Sequence, residues 1–296
     1  MKNLAIVGIG KWGKNLINEF SKNSNIIMCQ STGNKKNIAW VNKNFPNIQH
    51  TKNFEDILNN KLIDAVVIAS PIKTHFFLST QVILAQKHLF VEKPMSMNFN
   101  DTKKLVNLAK NQNVVLFVGH IFLYHPVLEK IKKILQTESL VYLKFNWNKL
   151  GSFKENILLD LVSHFISIII ELLGLPNHIK IIDTMKILTS NDMITMEFKF
   201  NTSCKCIVDI NRVSNFKKRS VMIVTTKNTF QWDDENFYKF NKKLLSYKQI
   251  SVSKKPSLQI ECQQFIKNLD NTNDNTNINK SLKIAKLTEK CIKMIK

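Results

Sequence analysis

Lys2-Asn3-Leu4-Ala5-Ile6-Val7-Gly8-Ile9-Gly10-Lys11-Trp12-Gly13-Lys14-Asn15-Leu16 is the stretch whose reading decides the fold. A short apolar run stops at Gly8, and a helical pattern with Leu16, Ile17 and Phe20 on one face begins just beyond it. An uninterrupted apolar run of this length fits a strand buried on both faces of a parallel sheet. The turn between strand and helix reads G-x-G-x-x-G over Gly8, Gly10 and Gly13. The first glycine permits a tight turn, the second lets backbone approach a pyrophosphate, and the third lets helix and strand pack closely. The unpaired N–H groups of the helix start then face the phosphates. Alone the motif is weak, but directly after a strand and opening a helix it reads as a dinucleotide-binding turn.

The alternation continues outward. Asn25 to Cys29 reads as a strand, Ala39 to Asn44 as helix, Ile63 to Ala69 as strand, and Thr74 as the cap of a helix running to about Lys87. Leu89 to Val91 is a strand ending at Glu92-Lys93-Pro94, Asn100 or Asp101 caps a helix over Lys103 to Asn111, and Val114 to Val118 is a strand. This rhythm predicts a doubly wound parallel sheet, an α/β Rossmann domain over residues 1–119. After Gly119 a helix (Pro126 to Leu135), a strand (Leu140 to Trp147) and a helix around Asp160 to Leu173 precede five strand-like runs between Ile179 and Trp232. Residues 120–296 therefore read as an α+β domain with an open, mostly antiparallel sheet, closed by helices over Leu258 to Leu269 and Lys280 to Lys296.

Composition narrows the function classes. Five cysteines without a CxxC pair, and an N-terminal apolar run that ends in glycines, fit reduced thiols in a cytoplasmic protein. The most apolar window, Asn156 to Leu175, is interrupted by Asp160, His164 and Glu171, so it reads as a packed helix and no membrane partner is expected. The formal charge of +21 comes almost entirely from lysine, with Arg212 and Arg219 the only arginines. Base readout and phosphate clamping lean on the arginine fork, so nucleic acid is not expected as a partner. A solvated basic surface of this kind would still attract an anionic small molecule. His50, His88 and His178 show no metal-ligand spacing, and no metal site is expected.

At the end of the second strand a carboxylate would hold the ribose 2′-OH of NAD. Here the chain reads Cys29-Gln30-Ser31-Thr32-Gly33-Asn34-Lys35-Lys36. Hydroxyls and lysines lean toward the 2′-phosphate of NADP, while Gln30 could equally bond a ribose, so NAD or NADP stays open.

Val91-Glu92-Lys93-Pro94 after a strand, Ala69-Ser70-Pro71 followed by Thr74-His75, and Asp160 four residues before His164 resemble the glucose–fructose oxidoreductase / inositol dehydrogenase (Gfo/Idh/MocA) family. The similarity runs over essentially the whole chain. Three stretches, Gly10 to Leu16, Gly119 to Pro126 and Asn156 to Leu161, resemble the branch that oxidises position 3 of UDP-N-acetylhexosamines or their uronates. The resemblance implies hydride transfer between a nicotinamide and a secondary hydroxyl or keto carbon of a sugar, probed by Lys93, Asp160 and His164 as catalytic residues. Gly8, Gly10, Lys11, Trp12, Gly13, Gln30, Ser31, Ser70, Pro71, His75, Glu92 and Lys93 would bind the cofactor, and His120, Tyr124, Asn156 and Arg212 the substrate. A homo-oligomer is expected on the same ground. The chain departs from the family pattern at Gln30 and Phe165, where acidic residues are usual, and between Asn148 and Asn156, which is short and lacks an expected arginine.

The residue types suit that chemistry. A histidine near neutrality moves the hydroxyl proton in either direction, and a lysine stabilises a developing alkoxide. Asp160 and His164 share a helix face at four-residue spacing. Each residue also has a plainer reading: Lys93 as a surface lysine before a turn, His164 as a core histidine with Asp160 its partner, His75 as support for the cofactor loop, His120 as structural, and Arg212 as one half of a salt bridge. Two other functions compete, a cofactor-binding regulator or scaffold without turnover and a lysine-rich nucleic-acid binder.

Overall fold

The computed structural model describes every residue except Ser152, Lys154, Thr272 and Lys296. By its contacts the chain divides into two units, residues 1–121 with 256–285, and residues 122–255 with 286–296.

The first unit alternates β1 (Asn3–Val7), α1 (Lys11–Phe20), β2 (Asn25–Gln30), α2 (Lys35–Asn44), β3 (Gln49–Thr51), α3 (Glu55–Asn59), β4 (Ala65–Ile68), α4 (Ile72–Leu84), β5 (His88–Glu92), α5 (Phe99–Asn111) and β6 (Leu116–Gly119). All pairs are parallel, in the order β3-β2-β1-β4-β5-β6. The sequence direction reverses between β1 and β4, and a doubly wound sheet opens a crevice at the carboxyl ends of such a strand pair. Every residue of β4 is buried, and β1 is buried from Leu4 onward. That two-sided burial is why these strands read as unbroken apolar runs.

Helix α8 (Ser257–Asn268) groups with this unit, whereas the sequence division placed it beyond Gly119 with the second domain. Its Phe265 joins Phe20, Phe90 and Phe117 in a fully buried aromatic cluster with ring centroids 5.5 to 5.9 Å apart. Such pairs each contribute roughly 0.5–1.5 kcal/mol beyond area burial. At the start of α9 (Thr276–Met294), Asn277 accepts from Val118 N at 2.8 Å and donates to Val118 O at 3.1 Å. This side chain occupies backbone groups of the edge strand β6 that would otherwise invite another strand.

The second unit carries α6 (Pro126–Ile134), β7 (Leu140–Leu150), a wide helical turn over Leu158–Val162 that runs into α7 (Ser163–Leu173), then β8 (His178–Met185), β9 (Met193–Lys199), β10 (Lys205–Asn211), β11 (Val213–Thr225), β12 (Thr229–Asp233), β13 (Asn236–Asn241) and β14 (Ser246–Ile250). The strands order as β14-β13-β12-β11-β7-β10-β9-β8, antiparallel except for β7 against β10. Leu143, Phe145 and Trp147 alternate as the buried face of β7, and Phe165 of α7 packs on Phe145 at 4.6 Å between centroids. The expected architecture is present; β13 and β14 are additions to the strands read from sequence.

Candidate active site

The glycine turn of the first unit is shaped by three different constraints. Gly8 has φ +92° and donates its N–H to Gln30 O at 2.9 Å. A Cβ there would lie 2.7 Å from Ser70 N and 2.8 Å from Ala69 O, so the β1 and β4 ends approach backbone to backbone. A Cβ at Gly13 would stand 1.9 Å from Gly8 O, which is the close helix–strand contact expected of the third glycine. A Cβ at Gly10 would meet nothing within 4 Å. Gly10 caps α1 with no side-chain hydrogen bond, and the first turn carries no acid. The helix start therefore presents free N–H groups and positive dipole to open space, the arrangement that takes a phosphate.

This turn borders a cleft of about 860 Å³. Gly8, Gly10, Lys11, Trp12, Gln30, Ser31, Ser70 and Pro71, all assigned to cofactor binding in the sequence analysis, line it. Thr32, Asn34, Asn37, Lys73, Thr74, Phe77 and Leu78 line it too and were missed, although each follows the carboxyl end of β2 or β4. The residues fit a dinucleotide: an open cradle for the pyrophosphate, and an apolar wall containing Ile9, Phe77 and Leu78.

Gly13, His75, Glu92 and Lys93 are not among the residues that line this cleft. Helix α4 begins at Ile72 after Pro71, so Thr74 lies inside the first turn and is not its cap; its hydroxyl bonds Pro71 O and Ser70 Oγ. The buried ring of His75 places Nδ1 2.8 Å from Pro94 O and Nε2 2.8 Å from Ser70 O. Each ring nitrogen stands within hydrogen-bond distance of a backbone carbonyl oxygen. His75 thus ties the β4 loop to the turn after β5, the supporting role rather than a chemical one.

Glu92 at the end of β5 accepts from Trp12 Nε1 at 2.5 Å and from Lys93 N at 3.3 Å. Burial pushes its carboxyl up to about 7, against the downward pull of the Trp12 hydrogen bond and the Lys93 charge. The Glu92 carboxyl occupies space that only a glycine at 119 leaves, since a Cβ there would lie 3.0 Å from Glu92 Oε1. Lys93 is half-buried and precedes a cis peptide to Pro94. Its charge reaches His120, which is 5% exposed; burial first and Lys93 second push that imidazole down to about 3. His120 is therefore neutral at physiological pH. Sequence reading missed Glu261 of α8, which is fully buried, and neither of its carboxyl oxygens meets a hydrogen-bond partner among the described residues. Burial, and then the neighbouring charge of Glu92, hold it well above the usual carboxylate range.

In the second unit, Asp160 and His164 are the only residues between 157 and 170 that escape burial. The i,i+4 stripe expected of them is thus the accessible stripe of an otherwise enclosed helical run. The His164 ring packs edge-on against Phe122 at 4.9 Å and against Trp147 at 5.5 Å. Arg219, not assigned to the site from sequence, stacks over the same two rings at 4.5 and 5.8 Å and pairs with Asp234 at 3.3 Å. Asn156 starts the helical turn, its Oδ1 accepting from Leu158 N at 2.8 Å and its carbonyl from Asp160 N at 2.9 Å. Tyr124 closes a short 3₁₀ turn, Ile121–Tyr124, and is half-buried.

Arg212 takes the plainer of its two readings. It is 3% exposed, and its guanidinium meets Asp192 Oδ1 at 3.0 and 3.1 Å, Glu155 O at 2.8 Å and the Thr189 hydroxyl. Asp192 is in turn bonded by the N–H groups of Ile187, Leu188 and Thr189. All three guanidinium nitrogens are held by protein, so Arg212 organises the loop between β8 and β9 and leaves no face for a substrate phosphate. Among the described residues no three His, Cys, Asp or Glu side chains are grouped to hold a metal ion, and no helix is long and apolar enough to cross a membrane.

Residues 2–120 match the family model Gfo/Idh/MocA, described as an oxidoreductase family with an NAD-binding Rossmann fold. A curated relative, UDP-N-acetylglucosamine 3-dehydrogenase of Acidithiobacillus ferrooxidans, is 24% identical over 54% of this chain and 52% of its own length. The aligned stretches cover between 25% and 52% of the first curated relatives. In structure, the Acidithiobacillus ferrooxidans enzyme superposes with a TM-score of 0.87 at 18% identity, covering 97% of this chain and 95% of that one. Biliverdin reductase from Synechocystis sp. PCC 6803, solved with biliverdin and NADP+, superposes with a TM-score of 0.81 at 18% identity over 98% of both chains. At these identities the likeness is one of fold.

Proposed function

We propose, from the match of residues 2–120 to the NAD-binding Rossmann model of the Gfo/Idh/MocA oxidoreductases, that the chain is an NAD(P)-dependent dehydrogenase or reductase acting on a sugar hydroxyl or keto carbon. The substrate we assign is a nucleotide-activated amino sugar, on the resemblance of three sequence stretches and the relative in Acidithiobacillus ferrooxidans. The observation that carries the reading is the open cradle at Gly10 beside an 860 Å³ cleft. The first unit would hold the dinucleotide; the second would hold substrate and form the contact between copies of a homo-oligomer. Five buried free thiols support a reducing, cytoplasmic setting.

A nicotinamide supplies the site that accepts or returns hydride. The chain supplies the rest. Lys93, at the carboxyl end of β5, would stabilise the alkoxide oxygen, with Glu92 and neutral His120 around its base. His164 would exchange the hydroxyl proton, and Asp160, on the same accessible stripe, would orient its ring. Proton exchange and charge stabilisation of this kind each contribute roughly 10²- to 10⁴-fold in rate. The test is the change in nicotinamide absorbance when the full chain meets a panel of UDP-sugars. Turnover of at least one is expected, falling about 10²-fold or more in Lys93→Ala and in His164→Ala. Unchanged rates in both variants would refute the mechanism. Cofactor binding without turnover of any alcohol or ketone would favour the regulator or scaffold reading.

A further inference from the structure

We infer that the ribose end of the cleft is built for a 2′-phosphate, so that the chain selects NADP over NAD; this rests on the dinucleotide-binding reading above. The position after β2 decides which dinucleotide a Rossmann cleft prefers, because a carboxylate there binds the ribose 2′-OH and repels a phosphate. Among the described residues no carboxylate lines this cleft. Gln30, the residue standing where one would be expected, is neutral and donates Nε2 to Lys52 O at 3.2 Å. That bond draws the end of β3 alongside the end of β2, an arrangement the sequence did not reveal.

Three groups gather there. Ser31 lines the cleft, and its hydroxyl is held by His50 Nε2 at 3.0 Å, so its orientation is set before any ligand arrives. Thr32 lines the cleft next to it. Gly33, at φ +102°, then bends the chain, and the Lys52 side chain lies across it: a Cβ at Gly33 would stand 3.2 Å from Lys52 Cε and 3.7 Å from Nζ. Only a glycine gives both that backbone angle and that space. The Lys52 ammonium is close enough to His50 to hold the imidazole below its ordinary value, after the effect of burial. Lys35 and Lys36 open α2 beyond, again with no acid in the first turn. Asp56, near in sequence, is turned to Thr51 and to Asn53 Nδ2 and does not line the cleft. Lys52 does not itself line the cleft, but its side chain lies over Gly33 next to the Ser31 and Thr32 hydroxyls, so a phosphomonoester there gains a charge-assisted bond that a neutral diol does not.

Lys52 is exposed, so its removal leaves the fold intact and reads only the site. Titration calorimetry of the full chain with NADP+ and NAD+, and with adenosine 2′-monophosphate and adenosine 5′-monophosphate, separates the phosphate from the rest of the dinucleotide. NADP+ is expected to bind about tenfold or more tightly than NAD+, the range of one charge-assisted hydrogen bond. Lys52→Ala should remove most of that ratio by weakening NADP+, with NAD+ altered less than about twofold, and added salt should erode it in the wild type. Ser31→Asp should invert the preference. Equal or tighter binding of NAD+ by the wild type overturns the inference while leaving dinucleotide binding standing, as does a ratio that Lys52→Ala does not change. Binding of neither dinucleotide overturns it together with the reading it rests on.

Discussion

Replacing Glu261 by glutamine should make the protein progressively more stable than the wild type as pH rises. Glu261 is fully buried on α8 with no hydrogen-bond partner for either oxygen among the described residues, so its neutral form is the one the fold accommodates. Burial and the Glu92 charge raise it well above its ordinary value of 4.5. In the unfolded chain it releases its proton near 4.5, while in the folded chain it keeps it. A group raised in this way costs stability from its unfolded value upward until pH reaches its folded value, at about 1.4 kcal/mol per pH unit. The raw pH profile hides this, because burial lowers His88, His120 and His125, and histidines kept neutral by the fold add stability as pH climbs toward their unfolded value. Those histidine contributions are common to both proteins and cancel in the difference, which then reports Glu261 together with the Glu92 carboxyl that titrates with it. Urea unfolding of wild type and Glu261→Gln between pH 5 and 7 should therefore show a gap that widens in favour of the variant as pH rises, by up to about 1.4 kcal/mol per pH unit, whatever constant offset the amide brings. A gap independent of pH would show that Glu261 ionises normally in the fold, and the buried-acid argument would fail.

The two glycines of the turn should separate folding from binding. Gly13→Ala forces a methyl into Gly8 O and should cost about 3 kcal/mol or more, seen as a lowered thermal midpoint. Gly10→Ala meets no protein atom and should hold stability within about 0.5 kcal/mol while weakening dinucleotide binding tenfold or more, read by calorimetry. His75→Phe leaves the Ser70 and Pro94 carbonyls without their donor and should destabilise the first unit by about 2–5 kcal/mol in urea unfolding; a loss under about 1 kcal/mol would mean that the two bonds are not both made. Arg212→Ala strands Asp192, a carboxylate otherwise held well below its usual range by the hydrogen bonds it accepts, and should cost about 3–5 kcal/mol in the same assay without a selective effect on substrate affinity.

The first sheet was legible because its strands are buried on both faces. Leu4 to Val7 and Ala65 to Ile68 have no solvent side, so their apolar runs are unbroken and their ends stand out as glycine, serine or proline. Elements without such a side left no comparable trace. β3 is three residues of Gln49, His50 and Thr51, and every residue of β14 except Ile250 is exposed, so neither shows the period that marks a strand. The wide turn over Leu158–Val162 was read as part of one helix with α7, since its apolar content is the same. Helix α8 was assigned by its place in the chain, and the contact that moves it, Phe265 among three other phenylalanines, joins residues up to 245 positions apart in an arrangement no local pattern encodes.

For the site, motif reading found the residues whose backbone does the work, and it fell short where charge and burial decide. Gly8 and Gly13 are constrained by sterics that the glycine pattern announces, and Gly10 is left open toward the cleft. Arginine is different, because its fork serves a buried carboxylate as well as a substrate phosphate. Arg212 and Arg219 both sit on or beside a strand of the second sheet, and nothing local tells them apart. What separates them is Asp192, buried beside Arg212 and already accepting three backbone N–H groups, against Asp234, which is 55% exposed and holds Arg219 at one point. A buried carboxylate needs its cation to stay charged in the interior, whereas a half-solvated one does not. Of the two arginines, then, only Arg219 keeps a guanidinium that a ligand could compete for, and it lies over the same Phe122 and Trp147 rings that hold His164.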